Sequence, residues 1–175
     1  ASSIEGAYVP SLYTVEYDGA AVARITPETA VRRAVVLDMN RCFIPQKPVV
    51  PLVQAIHDRI ALELFRGCVR GCRFCQAGMI YRPARFRSRS VLEACARQQC
   101  AMTGYDEISL LSLSSSDHPE IGALLRDLNQ WTGPAHINLS LPSLRIDSVL
   151  GETLEQTQSV RKTGLTFAPE AGTQR

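Results

Sequence analysis

The sequence lacks the signals of several familiar protein classes. No apolar run approaches the roughly 18 residues that span a membrane, so we expect no membrane segment. The opening residues, ASSIEGAYVP, lack the basic and apolar regions of a secretory signal. The three histidines have no spacing typical of a metal pair or of a nucleophile's base, and neither a Ser-His-Asp pattern nor a P-loop is present. These observations exclude several common kinds of hydrolase and nucleotidase from our expectations.

The composition is that of an ordinary globular chain. Among its 175 residues, 45% are hydrophobic and 21% are charged, and the net charge of +2 is too small to indicate a nucleic-acid partner by itself. The chain begins without Met and ends just after a strand-like run, so we expect a fragment of a longer protein. Six cysteines without an export signal favour metal or redox chemistry over disulfides.

Strand and helix patterns alternate from residue 58 onwards. Ser90 and Asp117, each followed three residues later by a glutamate, are candidate helix N-caps; Asp147 is a third candidate, and Gly104 suits a helix end. The predicted strands are residues 60–65, 108–113, 136–141 and 165–168. Consecutive βαβ units predict an α/β fold with a parallel sheet, either open or a partial barrel, because four strands cannot close a barrel of eight.

Residues 1–57 have a different character and are predicted to be a lead-in or linker, the end of an upstream domain. Residues 13–17 alternate polar and apolar side chains before an Asp-Gly turn, which predicts a hairpin strand, and residues 31–39 are another strand candidate. Prolines at positions 45, 48 and 51 then prevent regular structure.

A cysteine cluster lies where a parallel sheet places its chemistry. The loops at the predicted carboxyl ends of the strands are residues 66–89, 112–118, 142–147 and 169–175. The first of them carries three cysteines in the spacing C-x3-C-x2-C, namely Cys68, Cys72 and Cys75. Three thiolates can hold a 4Fe–4S cluster with one open iron, whereas structural zinc needs a fourth ligand. Ordinary reduced thiols are a further interpretation, and the candidates for a remote zinc ligand are Cys42, His57 and His118.

The cysteine spacing, with Phe74 before the last cysteine, resembles the radical SAM signature C-x3-C-x-φ-C. The strings RGCVRGCRFCQAGMIYRP, SLLSLSSSD, LPSLRID and GLTFAPEAGTQR are similar to an uncharacterised bacterial radical SAM family with a cobalamin-binding-like N-terminal region. The resemblance implies that residues 58–175 are the N-terminal part of a truncated radical SAM core, a partial parallel (βα) barrel. It also implies a 4Fe–4S cluster on the three cysteines, whose open iron chelates S-adenosylmethionine. Reductive cleavage would give a 5′-deoxyadenosyl radical for an unknown substrate.

The resemblance further implies contacts with the cofactor. Phe74 fills the aromatic position of the signature, and Ser112 and Ser114 replace the Gly-Gly-Glu motif that often holds the methionine amino group; alternatively, both serines only build a turn. Arg145 would pair with the cofactor carboxylate, or with a local acid such as Asp147. The ribose hydroxyls would be bound by a residue after the fourth strand, Glu170, whose alternative role is helix capping.

Other functions and partners stay open at this point. Seven arginines and three aromatic residues between positions 66 and 89 suggest RNA or a ribosome-related partner, or else balance nearby negative charge. The alternative to the radical SAM enzyme is thus a non-enzymatic zinc or iron–sulfur module with an arginine-rich nucleic-acid surface. A third candidate function is that of a cobalamin-assisted methyltransferase. The enzyme would need a reducing electron donor similar to flavodoxin or ferredoxin, and a cytoplasmic location because oxygen destroys an open cluster. Cys95 and Cys100 are predicted to pack in the core.

Overall fold

A computed structural model describes residues 3–53, 55–145 and, beyond them, residues 155, 157, 160, 161, 167, 168 and 172. Backbone contacts divide the chain into two units, residues 1–37 and 38–175. Over the described ranges, no helix is both long and apolar enough to cross a membrane.

The first unit contains a β-hairpin. A 3₁₀ turn at Pro10–Leu12 precedes β1 (Thr14–Asp18), which pairs antiparallel with β2 (Ala21–Thr26), so the predicted strand and turn are confirmed. The strand predicted over 31–39 is wrong, because residues 31–38 are irregular and Met39–Arg41 forms a 3₁₀ turn. None of residues 3–37 is buried, so this unit has no hydrophobic core within its described part. The assignment of residues 1–57 to an upstream domain stays a prediction.

The second unit holds the remaining strands and the helices. In chain order they are β3 (Ile60–Glu63), β4 (Phe65–Arg66), α1 (Ala77–Ile80), β5 (Arg85–Phe86), α2 (Arg89–Thr103), β6 (Glu107–Leu111), a 3₁₀ turn (Ser115–Asp117), α3 (Ile121–Thr132), β7 (Asn138–Ser140), β8 (Leu144–Arg145) and β9 (Phe167–Ala168).

The central sheet has three parallel strands in the order β3-β6-β7, which confirms the predicted parallel α/β sheet. Helices α2 and α3 make the connections between them. The fourth predicted strand is present as β9, which pairs with β8 in parallel and not with the central sheet in the described part of the chain. The described strands form no closed barrel.

One face of this sheet carries the hydrophobic core. Ile60 and Leu62 lie in register with Ile108 and Leu110, and all four side chains are buried. Burial of such a side chain contributes roughly 1.5–3 kcal/mol to folding. The helices complete the cluster with Leu92, Ala96, Cys100, Leu124, Leu125 and Leu128.

The observed helix ends agree only in part with those predicted from the sequence. Gly104 ends α2 in the left-handed conformation with φ +72°, as predicted. Ser90 lies inside α2, so the predicted cap is wrong, and Ser88 supplies the extended residue before the first turn. The cap predicted at Asp117 is also wrong, since α3 begins after Glu120. The helix predicted from Asp147 begins outside the described residues.

Candidate metal and cofactor site

The cysteines lie on an excursion of the chain that is closed at its base. β4 and β5 pair antiparallel, with Phe65 opposite Phe86, whose ring centroids are 4.7 Å apart. Residues 67–84, called the cysteine loop below, therefore leave the carboxyl end of β3 and return to the same point. Any ligand held by this loop lies at that edge of the sheet.

Gly67 makes the turn that begins the cysteine loop. Its φ is +89°, and a Cβ atom there would lie 2.5 Å from the Tyr81 carbonyl oxygen and 2.9 Å from the Ala84 Cα atom. Glycine is the residue that fits a left-handed and crowded backbone of this kind. The position of Cys68, which follows directly, depends on this turn.

The three thiols are partly exposed and free. The N–H of Cys75 donates to the Cys72 carbonyl oxygen at 3.0 Å, which places both residues on one tight turn before α1. The N–H of Arg70 donates to the Cys68 sulfur at 3.4 Å. Cysteine binds metals through its sulfur atom as the thiolate.

A cavity of about 330 Å³ lies beside the cysteine loop. All three cysteines line it, and so do three of the predicted cofactor contacts: Phe74, Ser114 and Arg145. The other lining residues are Arg70, Ala77, Leu113, Pro142, Ser143 and Leu144. Residues that are distant in sequence thus meet at one place.

The donor set fits an iron–sulfur cluster in its chemistry, but the three thiols are not gathered as in a preformed metal site. Among the described residues, no three His, Cys, Asp or Glu side chains lie close enough together to hold a metal ion. The three free thiols nevertheless share one cavity, and thiolates are the ligands that 4Fe–4S clusters take. Many metal sites form completely only when the metal binds.

The two predicted serines have different environments. Ser112 Oγ donates to Ser115 Oγ at 3.1 Å and accepts from the Ser114 N–H at 3.2 Å, so it builds the turn after β6. Ser112 lines a neighbouring cavity and not the one that the three cysteines line. Ser114 is buried, and its hydroxyl makes no well-formed hydrogen bond, although it lies close enough to Asp117 to help lower the pKa of that carboxyl. Of the pair, Ser114 has the hydroxyl available to a ligand.

An ion pair joins the cysteine loop to the segment after β6. Arg70 Nε donates to the two carboxylate oxygens of Asp117 at 2.9 and 3.2 Å, and the Asp117 side chain is only 5% exposed. The hydrogen bonds from Arg70 lower the pKa of Asp117 against the opposing effect of burial, with help from Ser114 and from the charge of Arg145. Asp117 is therefore a buried carboxylate that pairs with the guanidinium group of Arg70 and also experiences the charge of Arg145.

The charge of Arg145 also acts on the Asp117 carboxylate. Arg145 ends β8, which is tied to the β6 loop because the Ser115 N–H donates to the Ser143 carbonyl oxygen at 2.9 Å. Asp147, its alternative partner, and Glu170, the predicted ribose contact, lie outside the described residues.

The arginines around the cysteine loop have internal partners. Six of the seven between positions 66 and 89 make hydrogen bonds or ion pairs with neighbouring acids and carbonyl oxygens. Arg87 is the most buried of them, at 3% exposure, and donates to the carbonyl oxygens of Met39, Cys42 and Glu63. These contacts agree with the interpretation in which the arginines balance local negative charge.

The remaining cysteines and histidines lie away from the cavity. Cys100 is buried in the core and Cys95 packs against it, as predicted, and burial raises the pKa of Cys100 to about 11. His118 is buried, its Nε2 bonded to the Arg87 carbonyl oxygen and its Nδ1 accepting from the Glu120 N–H. Neither these residues nor Cys42 and His57, the other candidates for a remote zinc ligand, line the cavity.

The chain is similar in sequence to an archaeal protein. No protein-family model matches the chain. An uncharacterised protein of Methanocaldococcus jannaschii is 33% identical over 114 residues. The match covers 65% of this chain and 24% of the archaeal protein, so the chain corresponds to about a quarter of that relative.

Proposed function

We propose that this chain carries the cluster-binding part of a radical SAM enzyme. The observation that carries the proposal is one cavity lined by the three spaced cysteines together with Phe74, Ser114 and Arg145. When bound, the reduced 4Fe–4S cluster would supply the electron that cleaves S-adenosylmethionine into methionine and a 5′-deoxyadenosyl radical, and that radical would take hydrogen from the substrate. The protein supplies binding and orientation for this chemistry.

The residues of the cavity suit the parts of that cofactor. The guanidinium group of Arg145 can hold a carboxylate with two parallel hydrogen bonds. The buried Ser114 hydroxyl can bond the amino group. Phe74 is 73% exposed and offers an apolar face beside the third cysteine.

The fold supports the same proposal at a coarser level. Three parallel strands follow one another along the sheet, each joined to the next by a helix, as in the first strands of a (βα) barrel. We extend this to a partial barrel of the radical SAM type. Its electron donor would be a reducing protein similar to flavodoxin or ferredoxin, in a reducing cytoplasm.

The alternative, a metal module that presents arginines to nucleic acid, has less support. Most guanidinium groups of the segment already contact acids or carbonyl oxygens, and phosphate binding would have to replace those contacts. No observation favours it over the enzyme.

The test is anaerobic reconstitution of the chain with iron and sulfide, followed by metal analysis and chromatography of 5′-deoxyadenosine after reduction with dithionite. We expect about four irons per chain and formation of 5′-deoxyadenosine from S-adenosylmethionine. Cys72→Ala should lose both, whereas Cys95→Ala, on α2 outside the cavity, should keep both. Preferential retention of zinc, or equal loss in both variants, would contradict the proposal.

A further inference from the structure

Three segments of the candidate site converge on one carboxylate, that of Asp117. Arg70 comes from the cysteine loop, Asp117 from the 3₁₀ turn after β6, and Arg145 from β8. Arg70 pairs with both carboxylate oxygens, and the positive charge of Arg145 also acts on the group. The Asp117 side chain is almost completely buried, so solvent screens these interactions poorly.

Arg70 connects this carboxylate to the thiols. It lies between Cys68 and Cys72 in the sequence, and its backbone N–H donates to the Cys68 sulfur at 3.4 Å. Its carbonyl oxygen lies against α1, where a Cβ on Gly78 would approach it to 3.3 Å. Fixing the Arg70 side chain therefore fixes the backbone that carries the first two thiols.

Asp117 also compensates part of the positive charge at the cavity. Arg70 and Arg145 both line the cavity, whereas Asp117 is not among its lining residues. Because Asp117 pairs directly with Arg70, the guanidinium charge beside the thiols is partly compensated, and Arg145, whose charge acts on the same carboxylate, lines the cavity as well.

We propose that Asp117 is a positioning residue, which anchors residues 68–72 through Arg70 at the cavity that Arg145 also lines, and so sets the affinity of that cavity for a carboxylate-bearing ligand. The anchoring of the loop is inferred from the geometry alone. The effect on the ligand rests on the proposed function, with S-adenosylmethionine as the carboxylate-bearing molecule.

The first experiment tests the anchor in the metal-free protein. The rates at which iodoacetamide alkylates each thiol are measured by mass spectrometry in the wild type, Asp117→Asn and Arg70→Lys. Loss of the bidentate ion pair between Arg70 and Asp117 should raise the alkylation rates of Cys68 and Cys72 about tenfold. The alkylation rate of Cys95 is the internal reference. Arg70→Lys keeps the positive charge at position 70 and changes a partly exposed side chain. It therefore tests the anchor if Asp117→Asn does not fold.

The matched control is Asp127→Asn, which makes the same chemical change in the Arg89–Asp127 ion pair between α2 and α3. It should leave the alkylation rates of the loop thiols unchanged. Equal rates in the wild type, Asp117→Asn and Arg70→Lys would overturn the anchoring role.

The second experiment tests the effect on the ligand in reconstituted protein. In Asp117→Asn the uncompensated charge of Arg70 should raise the midpoint potential of the cluster in an EPR-monitored redox titration. Because residues 68–72 would be less well anchored beside the ligand, the dissociation constant for S-adenosylmethionine should rise about tenfold at equal iron content. Asp127→Asn should match the wild type in both measurements.

The outcomes separate the two proposals. Unchanged potential and affinity in Asp117→Asn would overturn the role of Asp117 towards the ligand while leaving the proposed function intact. A wild-type protein that binds no S-adenosylmethionine would defeat the proposed function and that role together, and the alkylation rates would still decide the anchor.

Discussion

Gly67 is the single residue whose backbone most restricts the candidate site. Gly67→Ala would place a Cβ within 2.5–2.9 Å of backbone atoms at a φ of +89°. A non-glycine residue in such a conformation costs about 1–3 kcal/mol before the steric clash is counted. We expect at least that loss in the free energy of unfolding, measured with urea, and a lower iron content after reconstitution.

The control for this prediction lies in the same loop. Gly71→Ala adds the same methyl group where no atom outside the adjacent residues lies within 4 Å and φ is not positive. Its stability should stay within about 0.5 kcal/mol of the wild type. Similar losses in both variants would mean that the loop tolerates no side chain at all, contrary to our explanation.

The Asp117 carboxylate also predicts a dependence of stability on pH. Hydrogen bonds from Arg70 lower its pKa in the folded protein below the unfolded value of about 3.9. A group with a lowered folded pKa stabilises the protein above the unfolded pKa and loses that contribution as the pH falls through the folded pKa. In urea titrations from pH 6 to pH 2.5, the stability advantage of the wild type over Asp117→Asn should therefore shrink below about pH 4. A constant difference would show that the carboxylate charge contributes nothing.

At the residue scale the sequence indicated which side chains line the cavity better than it indicated the contacts that support them. The cysteine spacing is local, so the three thiols and Phe74 could be assigned directly. Arg70 and Asp117 are 47 positions apart, and no local pattern indicates that they pair. Asp117 instead resembled a helix cap. The pattern that could have indicated this pair was an arginine between the first two cysteines and an acidic residue after the end of the next strand, because both lie at one edge of the sheet.

Among the structural elements, the segment around Met39–Arg41 is held in part by one buried side chain, that of Arg87. Arg87 follows β5 and donates to the carbonyl oxygens of Met39 and Cys42. Arg87→Gln would leave buried acceptors without a partner, at a cost of about 1–3 kcal/mol. We expect that loss in urea unfolding, with faster hydrogen exchange at residues 39–42.

Arg97→Gln is the matched change on the surface of α2. The Arg97 side chain is 51% exposed and pairs with Glu93. Its replacement should cost less than about 1 kcal/mol and leave hydrogen exchange at residues 39–42 unchanged. Unaltered exchange in Arg87→Gln as well would contradict the anchoring of this segment by Arg87.

The elements themselves were predictable where one periodic pattern decides them. Runs such as residues 60–65 and 108–113 became β3 and β6 because their alternate residues pack against α2 and α3. The cap at Ser90 was wrong because the extended backbone of Ser88 allows α2 to begin two residues earlier, at Arg89. The packing of a helix against the sheet therefore overrides a local cap pattern in deciding where the helix begins.

For the whole molecule, chain topology explains how a site can form from distant residues. Successive parallel strands bring the cysteine loop, the β6 turn and β8 to one edge, where they share a cavity. The strand pattern of the sequence therefore predicted that these loops would meet at one edge of the sheet. It could not predict which polar groups were already occupied within the protein, as Ser112 and most of the arginines are, because that depends on side-chain geometry.

The most direct test of the central claim is EPR spectroscopy of the reconstituted, dithionite-reduced chain with and without S-adenosylmethionine. We predict the signal of a reduced 4Fe–4S cluster whose g values change when the cofactor is added, because the cofactor would occupy the iron that lacks a cysteine ligand. That change should be absent in Cys72→Ala. A cluster signal that S-adenosylmethionine leaves unaltered would contradict the claim.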